Sequence, residues 1–366
     1  MVLTDSQKYK VEFFKAKFKE SLGCNQEESK IVDGMFQTLV NLYLYFKDEV
    51  PYVSVNDDNY PYYMITPSNG EYELLDYLLN RMVQNVEVIN TDVRGNGYEP
   101  GHKKLEIYLN RYDDVTSKYT QTEIQLLKNK SIAHETIHAL SFASFLQRGK
   151  DYVKRNGITD EEAVEKYNTN KLEYLSTNKN QIGEIKNFFG PLSDEIPGGK
   201  IYVEAFTEAL AVTLSHLREY AEMKLYEDSD DVLKYYTINN DFLIFTPNKE
   251  NGYKYASNYF YLIMQLVSKK ALFETMFLGK NTLVKEINNL SDSTNLFDYL
   301  DDKMFDLIEN QDDVELIKND MIELSQILVK IYINCGKIDE IKDKYFLQCD
   351  EMDKIIDEFC AGNRKI

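Results

Sequence analysis

Residues 122–146 read TEIQLLKNKSIAHETIHALSFASFL, and the two histidines in this stretch, His134 and His138, stand four positions apart. Apolar residues recur at three- and four-residue spacing, which predicts one long helix with the histidines in its middle. Thr120 or Thr122 would cap it and Arg148-Gly149 would end it. In a helix, positions i and i+4 lie one turn apart on one face. Two imidazole nitrogens so placed can reach one Zn²⁺ at about 2.0–2.1 Å, which neither i+1 nor i+2 spacing allows. Glu135, beside the first histidine, would then flank the open position of the metal. A carboxylate there can take a proton from water and hand it to a leaving group. His134 and His138 are half of the four histidines in the chain.

A catalytic zinc keeps three protein ligands and one open position, so the third ligand must come from another element. The metzincin pattern would place a glycine at 141 and a histidine at 144, but this chain has Ser141 and Ser144. A carboxylate is the remaining choice. The best candidate is Glu204 in the stretch 203–209, VEAFTEA, where Glu204 and Glu208 are again one helical turn apart. A helix that packs closely through Ala205, Ala209 and Ala211 has little reason to carry two acids on one stripe unless something binds them, because buried carboxylates are rarely unpaired. Either acid could supply the ligand, and both could instead face water.

HETIH followed by VEAFTEALA resembles the gluzincin superfamily of zinc metallopeptidases, the thermolysin-like pairing of HExxH with a downstream ExxxD/E helix. The resemblance covers two helices and the strand before them, well under half the chain. It implies a zincin-like fold with one Zn²⁺ per chain, held by His134, His138 and Glu204. It implies that Glu208 accepts the free ring N–H of a ligating histidine and fixes its tautomer. The implied reaction is attack of a metal-activated water on a peptide carbonyl, with Glu135 as general base and a polypeptide as substrate. The separation of 66 positions from His138 to Glu204 exceeds the compact thermolysin spacing, and residues 150–198 would be an inserted lobe. The family also places an edge strand above the metal, to which an extended substrate adds by backbone hydrogen bonds. Residues 104–109 would supply it, although their alternation by itself gives only an ordinary strand. Finally, such enzymes stabilise the oxyanion with a Tyr, His or Arg from the C-terminal lobe. Candidates are His216, Tyr253, Tyr255 and Tyr259, with Tyr253 or Tyr255 first. His102, in a Gly- and Pro-rich loop, is expected at the surface.

Around this centre the chain reads as follows. Two helices occupy residues 6–48, broken at Gly23-Cys24-Asn25. A Pro-rich loop with a short strand leads to a helix at 71–84. Strand-like runs at 86–93 and 104–109 flank a loop or hairpin containing Gly95, Gly97 and Gly101. A second long helix runs over 201–225, a strand-like patch lies at 241–246, and helices are expected at 253–270, 281–289, 296–309, 312–333 and 338–360. The expected class is α+β, predominantly helical with a small mixed sheet. It would comprise a helical N-terminal lobe (1–85), a zincin-like catalytic core (86–246) with its inserted segment, and a helical C-terminal lobe (247–366).

Composition narrows the partners. With 61 acidic against 42 basic residues the chain carries −19, the wrong sign for nucleic acid or an anionic membrane surface. No stretch approaches eighteen apolar residues, so no spanning helix is expected. The N-terminal stretch lacks the apolar core and cleavage site of a secretory signal. A cytoplasmic location is the expectation, or export without a recognisable signal. The cysteines, Cys24, Cys335, Cys349 and Cys360, form no CxxC pair and suit a reduced protein. Walker, GxGxxG, GxSxG and EF-hand patterns are absent. Two other functions stay compatible with the motif: a zinc amidase or other non-peptide hydrolase, and a non-catalytic effector that retains the scaffold.

Overall fold

The computed structural model describes residues 2–55, 70–82, 85–89, 96–99, 104–108, 120–141, 200–220, 236–238, 242–244, 254–278, 280, 282–291, 296–309 and 314–340. The fold is α+β, mostly helical with a small mixed sheet. Its contacts gather into two compact units.

The first unit begins with a helical pair, α1 (Asp5–Leu22) and α2 (Gln26–Phe46). Gly23, at φ 61°, ends α1 in the left-handed conformation that glycine adopts without a Cβ clash. Asn25 starts α2 by accepting from the backbone N–H groups of Glu27 and Glu28, while Glu28 reaches back to the Asn25 N–H. The break at Gly23-Cys24-Asn25 is therefore a left-handed cap followed by a capping box. The inner face of α2 is fully buried at Val32, Met35, Leu39, Leu42 and Phe46. Phe46 packs edge-on against Phe273 and Phe277 at 5.3 and 6.0 Å between ring centroids.

The strand β1 (Tyr52–Val55) pairs antiparallel with β2 (Gly70–Glu73), and α3 (Leu74–Asn80) follows directly. The helix expected from residue 71 thus starts later, because Glu71–Glu73 are held in the ladder to Tyr52–Ser54. From α3, Tyr77 donates its hydroxyl to the Phe277 carbonyl at 3.2 Å, and from the turn that follows, Arg81 donates to the same oxygen at 2.8 Å.

The mixed sheet comprises β3 (Asn85–Ile89), β4 (Gly97–Glu99) and β5 (Lys104–Tyr108) in the order β3-β5-β4. β3 runs parallel to β5, with Val86 opposite Leu105 and Val88 opposite Ile107, and β4 runs antiparallel to it. Leu105 and Ile107 are buried, as their alternation predicted. Lys104 lies between Glu87 and Glu106 at 2.8 and 2.7 Å. This order corrects one expectation. Residues 104–108 are the central strand, with both edges already paired, and cannot take up a further strand. Gly97–Glu99 form a short strand of their own, which occupies the edge left to a substrate in the sequence reading.

The helix α4 (Gln121–Leu140) packs on β4, β5 and α2. At its contact with α2 a Cβ on Gly34 would meet Ile132 Cδ1 at 3.0 Å and Cγ2 at 3.2 Å. Gly34→Leu is therefore expected to overpack this contact and to cost about 1–3 kcal/mol in denaturant unfolding; an unchanged midpoint would contradict the close approach.

The helix α5 (Lys200–Leu214), part of the second unit as far as Val212, is alanine-rich with Ala205, Ala209 and Ala211 fully buried. It ends earlier than expected. His216, at φ 61°, takes the left-handed conformation just past its end, and helical backbone resumes at 217–220. Phe206 meets Phe260 of α6 (Lys254–Met264) at 4.4 Å between centroids. The expected helix over 253–270 is two helices, because Ser268 starts α7 (Lys269–Leu278): its hydroxyl accepts from the Ala271 N–H, and its own N–H and O–H go to Glu286. Glu286 belongs to α8 (Thr282–Asn289), followed by α9 (Leu296–Glu309) and α10 (Val314–Asn334). The Tyr332 hydroxyl donates to the Leu262 carbonyl at 2.7 Å, tying α10 to α6. A two-stranded ribbon, β6 (Tyr236–Ile238) with β7 (Phe242–Ile244), adds a strand that the sequence pattern did not mark.

Among the described residues no helix is long and apolar enough to cross a membrane, and Cys24 and Cys335 are free thiols. The expected insertion 150–198, the helix over 338–360 beyond residue 340, and Cys349 and Cys360 lie outside the described residues.

Candidate metal centre

The register of α4 is fixed at its start. Thr120 accepts from the Glu123 N–H at 3.3 Å, and the Glu123 carboxylate accepts from the Thr120 N–H at 2.7 Å and its hydroxyl at 2.8 Å. This reciprocal box leaves Glu123 only 5% exposed. Thr120→Ala should cost about 1 kcal/mol of stability in urea unfolding. A loss of only a few tenths would mean the box does not anchor the helix.

From that start, His134 and His138 fall near the other end of α4 rather than in mid-helix, because Ser141 turns out of the helix at ψ 157°. Ser141 closes the end by donating both its N–H, at 3.1 Å, and its hydroxyl, at 2.8 Å, to the His138 carbonyl. The position suits a cation, since the C-terminal end of a helix carries partial negative charge.

The two imidazoles cross at 72° with centroids 4.6 Å apart, and their Nε2 atoms face each other at 3.0 Å. Two nitrogens bound tetrahedrally to zinc would lie about 3.3 Å apart, so the observed spacing is within a few tenths of the ligating one. One ligand atom from each of His134, His138 and Glu204 lies within 4.8 Å of the others, and all three residues are half-buried. These residues form a group that can bind a metal ion. The donor set, two imidazoles and one carboxylate, has the borderline character that would suit zinc and would leave a fourth position free.

Two further acids flank these residues in sequence. Glu135 is 7% exposed and Glu208 is 1% exposed. A carboxylate is buried this far only where polar or charged partners take up its lone pairs. Thr207, at 0% exposure, was not singled out from sequence. Its hydroxyl is buried with no hydrogen-bond partner among the described residues. Lys130, one turn before His134, is 8% exposed.

The oxyanion candidates fare differently. Tyr259 is 1% exposed and its hydroxyl lies 3.1 Å from Ser325 Oγ, so it is a packed core residue. His216 is exposed at the end of α5. Tyr253, the side chain of Tyr255, and His102 lie outside the described residues. No family model, no curated protein and no solved structure matches this chain.

Proposed function

We propose that the protein is a zinc-dependent hydrolase of peptide bonds, a metallopeptidase of the gluzincin type with a zincin-like core. The observation that carries this reading is the convergence of one ligand atom from each of His134, His138 and Glu204 within 4.8 Å, with Glu135 next to the first of them in sequence. The three ligands would hold one metal ion. When bound, zinc supplies Lewis acidity, polarising water and the carbonyl of the scissile bond.

Glu135 would accept a proton from the attacking water. The water oxygen then bonds to the carbonyl carbon, and the C–N bond breaks as Glu135 delivers the proton to the departing amine. Its burial supports this role, because a carboxylate shielded from bulk water transfers its proton to the reacting groups rather than to solvent. Glu208, one turn after Glu204, would accept the ring N–H of a ligating histidine and leave Nε2 free to ligate. A tyrosine near the start of α6, Tyr253 first, would donate to the oxyanion. The −19 net charge is compatible with a neutral or basic polypeptide substrate and opposes nucleic acid and anionic membrane surfaces as partners.

The test is incubation of the zinc-loaded protein with a mixed peptide library and mass spectrometry of the products. Defined new termini, lost when the metal is chelated, are expected. A library left intact by protein of verified zinc content would refute the peptidase reading.

A further inference from the structure

We propose that Thr207 is a positioning residue for the metal centre: its hydroxyl donates a hydrogen bond to the Glu204 carboxylate and holds that carboxylate in its ligating orientation. The inference rests on the metal reading above and adds a residue to it.

Thr207 is fully buried, and its Oγ1 is without a hydrogen-bond partner among the described atoms. That is unusual for a threonine inside a helix, because the hydroxyl can always turn back to the carbonyl four residues earlier. Two other buried helical threonines of this protein do so. Thr38 donates to the Gly34 carbonyl at 2.9 Å, and Thr136 donates to the Ile132 carbonyl at 2.7 Å. Thr207 leaves the equivalent bond to Val203 unmade. A buried hydroxyl in that condition has given up water and received nothing in return, so an acceptor brought within its reach would be stabilising.

The helix limits what that acceptor is. Side chains three and four positions away lie about 5–6 Å apart at Cβ. For Thr207 those positions are Val203, Glu204, Leu210 and Ala211. Only Glu204 among them carries a side-chain acceptor. A carboxylate that binds a metal through one oxygen keeps lone pairs on the other, and ligating carboxylates are regularly fixed by such a neighbouring donor. The step from the described arrangement to the bonded one is a side-chain rotation between staggered wells. Glu208 follows Thr207 directly, so the segment 204–208 would supply the ligand, the donor that orients it, and the acid that orients a histidine.

The test compares zinc affinity, by competition with a chromophoric chelator, and the thermal midpoint of the metal-free protein in wild type, Thr207→Val, Thr207→Ala and Thr207→Ser. Loss of the hydroxyl in Thr207→Val should weaken zinc by roughly tenfold or more. The metal-free midpoint should stay unchanged or rise, since no bond is lost there. Thr207→Ala should weaken zinc as much, and Thr207→Ser, which keeps the hydroxyl, should bind close to wild type. Wild-type affinity in Thr207→Val would overturn the inference and leave the metal centre standing. So would an equal loss in Thr207→Ser, which would assign the effect to packing. A wild-type protein that takes up no zinc would overturn the inference together with the metal reading on which it rests.

Discussion

Glu135→Gln is expected to lower peptide hydrolysis by about 10²–10⁴-fold while the protein keeps its metal and its fold. Glutamine has nearly the volume of glutamate and retains one acceptor oxygen, so a site that is 7% exposed can accommodate it without leaving a void. What it loses is the ability to take up a proton. The proton of the attacking water then has no carboxylate to go to, and the amine has no acid beside it. Because Glu135 is not one of the three convergent ligands, zinc content should remain that of wild type. The measurement is the rate of cleavage of a peptide identified from the library, with metal content determined on the same preparations. Activity within about tenfold of wild type, in a variant that still carries zinc, would remove Glu135 from the role of general base.

Removal of the metal should have an effect at least as large. Dialysis against a strong chelator is expected to abolish hydrolysis, and one equivalent of zinc should restore it. The metal-free chain should stay folded, because the two histidines sit on a helix fixed by its own capping box and by packing on α2 and the mixed sheet. Zinc should then raise the stability of that folded chain by mass action, by about 4 kcal/mol at a thousandfold excess over the dissociation constant. Circular dichroism and activity, followed through one cycle of stripping and reloading, check both points. Full activity in protein stripped of metal would contradict the proposed chemistry. Unfolding on stripping would mean that the ion is structural.

The two histidines were legible because helix geometry alone relates them. A four-residue spacing brings His134 and His138 together whatever surrounds them, and the acids at 204 and 208 stood out in an alanine-rich helix. The ends of these helices were less legible. The pattern that carries α4 past residue 141 is still apolar, but Ser141 can bond the His138 carbonyl with both its N–H and its hydroxyl, and the backbone turns out. Past α5, a left-handed conformation at His216 does the same with no glycine to announce it. Sheet order was hidden for a different reason. Alternation in 104–108 shows which side chains are buried and says nothing about which strands lie on either side, so the insertion of Gly97–Glu99 as a paired edge could not be read. The tyrosines were legible only as a class. With 28 in the chain, sequence could not distinguish Tyr259, whose hydroxyl is committed to Ser325, from one free to serve a substrate. Thr207 was invisible because an orphaned hydroxyl is a property of packing and leaves no mark on spacing.

The central claim is that His134, His138 and Glu204 together hold one metal ion. Its most direct test is metal content by mass spectrometry on wild type, His138→Ala and Glu204→Ala, purified side by side without added zinc. About one zinc per chain in wild type, lost in both variants, is the expected result. Zinc retained in Glu204→Ala would move the third ligand elsewhere, and a wild-type chain that carries no metal even after reconstitution would contradict the claim outright.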